Sequence, residues 1–112
     1  MQIAIPWFNN KLNPNNQSHW AIKAKLKAKQ KNDCYYIALE AGPPDKADIY
    51  NLSITFHPPD KRNRDIDNSL SAIKSGLDGI AMAWKINDKQ FRYNRLDFGE
   101  VIKNGNIIIN IN

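Results

Sequence analysis

The stretch Arg64-Asp65-Ile66-Asp67-Asn68 carries two carboxylates one residue apart. On an extended chain both point to the same side, because strand side chains alternate with a period of two. A third carboxylate, Asp88, waits beyond the next helical pattern, and Lys61, Arg62 and Arg64 crowd the front. Carboxylate oxygens are hard donors, and Mg²⁺ needs only a few of them while it keeps several waters. A hard cation set among positive side chains suits chemistry on a phosphate backbone, where it polarises the phosphodiester and lowers the pKa of a bound water. Asp65 and Asp67 can supply two ligands, and Asp88 a third if the intervening helix returns the chain to the same edge. Lys74, two helical turns after Asp67, can project to that side. Asp-x-Asp also arises from an N-cap plus a surface ion pair to Arg62 or Arg64, and spacing leaves both origins open.

The elements that must position these groups read as follows. Met1–Pro6 is a short strand, with Ile3 and Ile5 on one face and Pro6 ending it. Trp7–Ser18, with five asparagines, is a loop. His19–Asn32 alternates like a strand but is built of Ala, Lys, Leu and Gln, which favour helix, and helix is the reading. It carries five lysines and no acid. Lys23, Lys27 and Lys31 face either solvent or a DNA backbone. Cys34–Glu40 reads as a strand through Tyr35, Tyr36 and Ile37, and Ala41–Asp45 breaks it. Ala47–His57 is the next strand. Asp67 or Asn68 caps a helix whose stripe, Leu70, Ile73, Leu77, Ile80 and Trp84, faces the core. Gly76 and Gly79 weaken that helix and permit close packing. Trp84–Gln90 is a turn, and Phe91–Ile102 and Ile107–Ile111 are strands joined through the hairpin signal Asn104-Gly105. The order β-α-β-β-α-β-β predicts an α+β domain, a small mixed sheet with two helices on one face.

With 112 residues the chain is the size of one domain with its own core. Its charge of +5 favours an anionic partner such as nucleic acid. Cys34 is the only cysteine, which excludes an internal disulfide and a cysteine metal cluster and fits a reducing, cytoplasmic setting. The start lacks the marks of a signal peptide, and no apolar run is long enough to span a membrane. The absence of a glycine-rich phosphate loop argues against an NTPase. His19 reads as a loop or helix-start residue and His57 as a structural strand end. Trp7 and Trp20 are either base-stacking or, more commonly for tryptophan, core side chains.

Asp60-Lys61-Arg62-Asn63-Arg64-Asp65-Ile66-Asp67-Asn68, a helix, and then Ile86-Asn87-Asp88-Lys89-Gln90 resemble the RusA family of Holliday junction resolvases. The similarity runs from Pro58 to Phe91. Pro6-Trp7-Phe8-Asn9-Asn10 and Leu12-Asn13-Pro14 through His19-Trp20 resemble the family's Pro- and Asn-rich N-terminal loop more loosely. The resemblance implies a small homodimeric α+β protein, often phage- or prophage-encoded, acting in DNA recombination and repair. It implies Mg²⁺-dependent paired nicking of four-way DNA junctions, with Asp65, Asp67 and Asp88 at the metal. Many members carry a lysine three residues after the Asp-Asn pair. Here that residue is Ser71, and Lys74 followed by Asp78 repeats the family spacing one step on. Lys74 is thus either the catalytic lysine or half of an i, i+4 pair with Asp78. Lys61, Arg62, Arg64, Lys23, Lys27 and Lys31 are the candidate DNA contacts. A non-catalytic DNA-binding module of the same fold, and a metal-dependent nuclease without junction preference, are the alternatives.

Overall fold

Every second residue of Tyr50–His57 is apolar, and a strand with that pattern buries one face and leaves the other to solvent. Tyr50, Leu52, Ile54 and Phe56 are accordingly buried while Asn51, Ser53 and Thr55 are only partly so. In a computed structural model describing residues 1–112, this strand, β2, is central in a four-stranded mixed sheet. The others are β1 (Gln2–Ile5), β3 (Phe91–Phe98) and β4 (Asn106–Ile111), in the order β1-β4-β2-β3. β4 is antiparallel to both β1 and β2, with Ile109 beside Ile3 and Ile54, whereas β3 runs parallel to β2 with Phe91 beside Tyr50. Three helices, α1 (Trp20–Ala41), α2 (Ile66–Ala72) and α3 (Lys74–Ala83), complete an α+β fold. The core unites Ile3, Ile5, Leu52, Ile54, Phe56, Ile107 and Ile109 of the sheet with Cys34, Ala38, Ile73, Leu77 and Ile80 of the helices. No helix is long and apolar enough to cross a membrane.

The expected element order requires three corrections. Cys34–Glu40 is not a strand but the second half of α1. Neither glycine nor proline interrupts the chain between His19 and Ala41, and Cys34 and Ala38 form one helical stripe against α3. Trp84 Nε1 donates to the Ala38 carbonyl oxygen at 2.8 Å. This packing outweighs the strand preference of Tyr35, Tyr36 and Ile37. The helix stops at Gly42, whose φ of 81° favours glycine and whose N–H bonds the Ala38 carbonyl oxygen. His19 Nδ1 accepts from Ala21 N at the other end, as a helix-start residue does.

The single helix expected after Asn68 is broken at Ile73 into α2 and α3. Its stripe still faces the core: Ile73, Leu77, Ile80 and Trp84 are buried and Leu70 packs against them. An unbroken helix would join Gly76 N to the Ala72 carbonyl oxygen, an i to i−4 pair. Gln30 of α1 inserts its amide between them. Its Nε2 donates to Ala72 O at 3.1 Å, and its Oε1 accepts from Gly76 N at 3.0 Å and from the Ser75 hydroxyl. A side chain entering the backbone ladder is a recognised cause of a sharp break. Gln30→Leu removes these bonds and strands two backbone groups, so a stability loss of about 2–3 kcal/mol is expected. Equilibrium urea unfolding measures it, and an unchanged midpoint would show that the break does not depend on Gln30.

The third correction concerns Asn104-Gly105. Both residues have positive φ, 68° and 72°, as the turn requires, but they do not close a hairpin. β2 lies between β3 and β4. β3 ends at Phe98 rather than Ile102, and the connection crosses the end of β2, where Gly99 N donates to Phe56 O and Ile102 N to Pro58 O. β4, with Ile107, Ile109 and Ile111 buried, takes the doubly paired position beside β2, and the arginine-bearing β3 takes the edge.

Candidate active site

The parallel pair β2 and β3 needs a crossover, which α2 and α3 provide. Asp65 and Asp67 stand at its head and Asp88 at its foot. Pro58 and Pro59 end β2, and the chain enters the basic run. There Asp60 gathers both arginines. Arg62 donates to its carboxylate through Nε and Nη2, the latter at 2.8 Å, and Arg64 Nη2 donates to Oδ1 at 2.8 Å. Hydrogen bonds from the Arg62 side chain and then its backbone, with Arg64 adding to them, hold the Asp60 carboxyl well below the usual carboxylate range. The folded pKa is lowered, so this tie is intact above the ordinary aspartate range and is lost only as pH falls through the depressed value. Arg64 is largely buried, with its guanidinium 5.4 Å from the Trp7 ring centroid, whereas Arg62 is mostly exposed.

Asp65 follows directly and is the N-cap of α2, so the helix starts earlier than at Asp67 or Asn68. Its backbone is extended, at φ −97° and ψ 130°, and its Oδ1 accepts from Asp67 N at 2.8 Å and Asn68 N at 3.3 Å. Asp67 already lies in the first helical turn, so the two carboxylates do not share a strand face as the spacing suggested. Of the two origins of the motif, the cap is real and the ion pair is not: the arginines are bound to Asp60. Asp65 Oδ2 and the whole Asp67 carboxylate have no protein donor, and both residues are exposed.

Asp88 opens the short 3-10 turn Asp88–Gln90. Asn87 and Gln90 form a capping box around it, and Gln90 Nε2 donates to the Asp48 carbonyl oxygen at 3.1 Å, fixing the turn beside the entry to β2. Within one chain no three His, Cys, Asp or Glu side chains gather closely enough to hold a metal ion. The three-carboxylate cluster of Asp65, Asp67 and Asp88 is therefore not assembled in a single copy. The reason is topological: the helices carry the chain from the end of β2 back to the start of a parallel neighbour, not to the same edge.

Lys74 does not pair with Asp78. Its Nζ lies 3.5 Å from the Tyr93 hydroxyl oxygen and 5.5 Å from that ring's centroid, leaving the charge exposed on α3. Ser71 sits on α2, across the break, so the two positions do not lie on one continuous helix surface. Lys61 and Lys27 are exposed, and Lys23 Nζ donates to the Asn13 carbonyl oxygen at 3.4 Å. Lys31 lines a concavity with Asp78 and Asp88, at the foot of the crossover. Lys23 and Lys31 thus attend opposite ends of the site. Lys29 pairs with Asp33 at 2.7 Å.

Gln30 and Tyr93, which position α3 and Lys74, were not legible as site residues. The capping box at Asp88 was not read either, although the Asn-x-x-Gln spacing is the signal that could have found it. His57 is structural, with Nδ1 3.0 Å from the Glu100 carbonyl oxygen. Trp7 packs against Phe8 and Phe56, whereas Trp20 is 76% exposed. Burial, reinforced by the Asp33 charge, pushes the Cys34 thiol up to about 12, which makes it a packing group rather than a nucleophile. Compared with protein-family models and with curated proteins, the chain matches none.

Proposed function

We propose that this protein is an Mg²⁺-dependent, structure-selective endodeoxyribonuclease that resolves four-way DNA junctions by paired nicks. The observation that carries the reading is the pair Asp65 and Asp67, which no protein cation bonds, beside arginines whose ion pairs go to Asp60 instead. On a chain of charge +5, these two exposed acids beside a basic run keep carboxylate oxygens free of protein donors and so available to a cation. The RusA resemblance of Pro58 to Phe91 supports the same reading.

The donor set fits the ion. Mg²⁺ takes one or two carboxylates and otherwise keeps water. Asp65 has Oδ2 free while its Oδ1 is anchored by two backbone N–H groups, and Asp67 is wholly free. The proposal assigns the ion to these two and leaves Asp88 outside the set within one copy. When bound, Mg²⁺ supplies Lewis acidity toward the phosphodiester and a water of lowered pKa. Lys74 adds positive charge for the phosphate as negative charge develops on it, steadied by Tyr93. Lys61 and Arg62 hold neighbouring phosphates without reading sequence. A junction needs two matched cuts, so a two-fold homodimer is part of the proposal.

Cleavage of a four-way junction beside a linear duplex, with Mg²⁺ or with EDTA, tests the reading. Junction-selective cutting that needs Mg²⁺ is expected, and no cutting of either DNA with Mg²⁺ overturns it. Lys74→Ala is expected to lower turnover by about a hundredfold while changing binding little, and Ser71→Ala to be mild. Near wild-type turnover from Lys74→Ala removes that side chain from the chemistry.

A further inference from the structure

The asparagines of the Trp7–Ser18 loop have no part in the metal site, yet they are not scattered. Asn10, Asn13, Asn15 and Asn16 meet the Arg62-Asn63-Arg64 run across a surface concavity of about 310 Å³ with no apolar residue in its lining. No acid lines it either. We infer that this concavity is a phosphate cradle, which seats a backbone phosphate of the nucleic-acid strand beside the acid pair. It deepens the nuclease reading by naming where the strand is held, and it rests on that reading for the identity of the strand.

The lining offers amide and guanidinium donors and no carboxylate. An asparagine offers one acceptor oxygen and two N–H donors. In Asn13 and Asn16 the oxygen is occupied: Asn13 Oδ1 accepts from Asn15 N at 2.9 Å, and Asn16 Oδ1 accepts from Ser18 N at 3.0 Å. That leaves their N–H groups as what they present. Asn10, Asn15 and Asn63 have no side-chain partner in the protein, so their donors are also uncommitted. Arg62 lies at the rim, mostly exposed, and Arg64 forms the floor over Trp7. Lys23 reaches the same loop through the Asn13 carbonyl oxygen. The single acid bound to the two arginines, Asp60, leaves a net positive charge. Amide donors and guanidinium groups around an opening free of carboxylates match a phosphate, which accepts only, and such side chains commonly make phosphate contacts. At roughly ten times the 30 Å³ share of one water, the space admits a phosphate with some of its hydration.

Two segments distant in sequence build the cradle, and the Arg64–Trp7 stack joins them. Since Arg64 is followed at once by Asp65, a phosphate seated here puts the next part of the strand at the acids. A binding surface of this kind raises affinity and sets register but adds no sequence preference.

The test is Asn10→Asp with Asn15→Asp, which keeps shape, leaves the loop's backbone hydrogen bonds alone and turns donors into repelling charges. Gln2→Glu with Asn112→Asp, two exposed positions at the end of the sheet where β2 starts, is the equal-charge control. Affinity for a labelled four-way junction is read in EDTA, so cleavage plays no part. The double variant is expected to bind roughly tenfold or more weakly, and the control near wild type, with thermal melting unchanged in both. Equal weakening in variant and control, or no weakening, overturns the cradle. NMR shifts of the Asn10 and Asn15 side-chain amides separate the sources of phosphate. Movement with junction DNA but not with millimolar inorganic phosphate supports a strand phosphate, and movement with inorganic phosphate alone overturns the strand assignment. If the wild type never cuts but the double variant loses binding, the nuclease reading fails and the cradle stands. If the wild type cuts and the double variant binds normally, the reverse holds.

Discussion

Gly79→Ala should be the most damaging single-methyl substitution in the chain, costing about 3 kcal/mol or more and lowering the melting temperature by about 10–20 °C. A β-carbon at Gly79 would lie 2.2 Å from the Lys31 carbonyl oxygen and 3.0 Å from its carbon. These are backbone atoms of α1, so no rotamer change relieves the overlap, and α1 and α3 must separate along their crossing. Helix propensity alone argues the other way, since alanine inside a helix is favoured over glycine by about 1 kcal/mol. The clash exceeds that gain, and typical domains have only about 5–15 kcal/mol in all. Gly76→Ala meets the Cys34 sulfur at 2.9 Å and the flexible Gln30 side chain, so it should cost less. Calorimetry of the two variants checks both sign and order. A Gly79→Ala protein more stable than the parent would mean that α1 and α3 do not cross as closely as described.

Asp67→Asn should reduce junction cleavage by about a hundredfold or more while binding in EDTA stays equal or becomes tighter. Asparagine keeps the shape of the side chain and removes the charge that would attract a cation and repel DNA phosphate. Asp65→Asn should behave alike for a further reason. Asparagine caps helices as well as aspartate, so the bonds to Asp67 N and Asn68 N survive and the fold is undisturbed. Asp45→Asn, in the exposed connection after α1, is the neutral control. Asp88→Asn discriminates further. Held apart from the pair within one copy, Asp88 should matter less than Asp67, and an equally complete loss would place Asp88 of a second copy at the ion. Retained cleavage by both Asp65→Asn and Asp67→Asn removes the metal site. Loss of binding and folding together would return the acids to capping alone.

Several features were legible because they are local. Alternation in Tyr50–His57 and the isoleucines of Ile107–Ile111 mark strands that bury one face. The stripe from Leu70 to Trp84 marks the core face of the crossover, and Gly76 and Gly79 announce its close approach to another element. Each depends on side chains a few residues apart, which one helix or strand brings together. Tertiary structure decided the rest. Tyr35, Tyr36 and Ile37 favour a strand in isolation, and only the α3 surface that receives Cys34 and Ala38 makes them helical. The break at Ile73 comes from Gln30, remote in sequence, entering a hydrogen bond that the local residues would otherwise close. Asn104-Gly105 has the backbone of a turn, but β2 competes for both strands the turn connects, so their neighbours are chosen by the whole sheet. The carboxylates divide along the same line. Asp65 as a cap follows from the residues beside it, while the distance of Asp88 follows from β2 and β3 being parallel, a pairing set by long-range burial that no short stretch of sequence encodes.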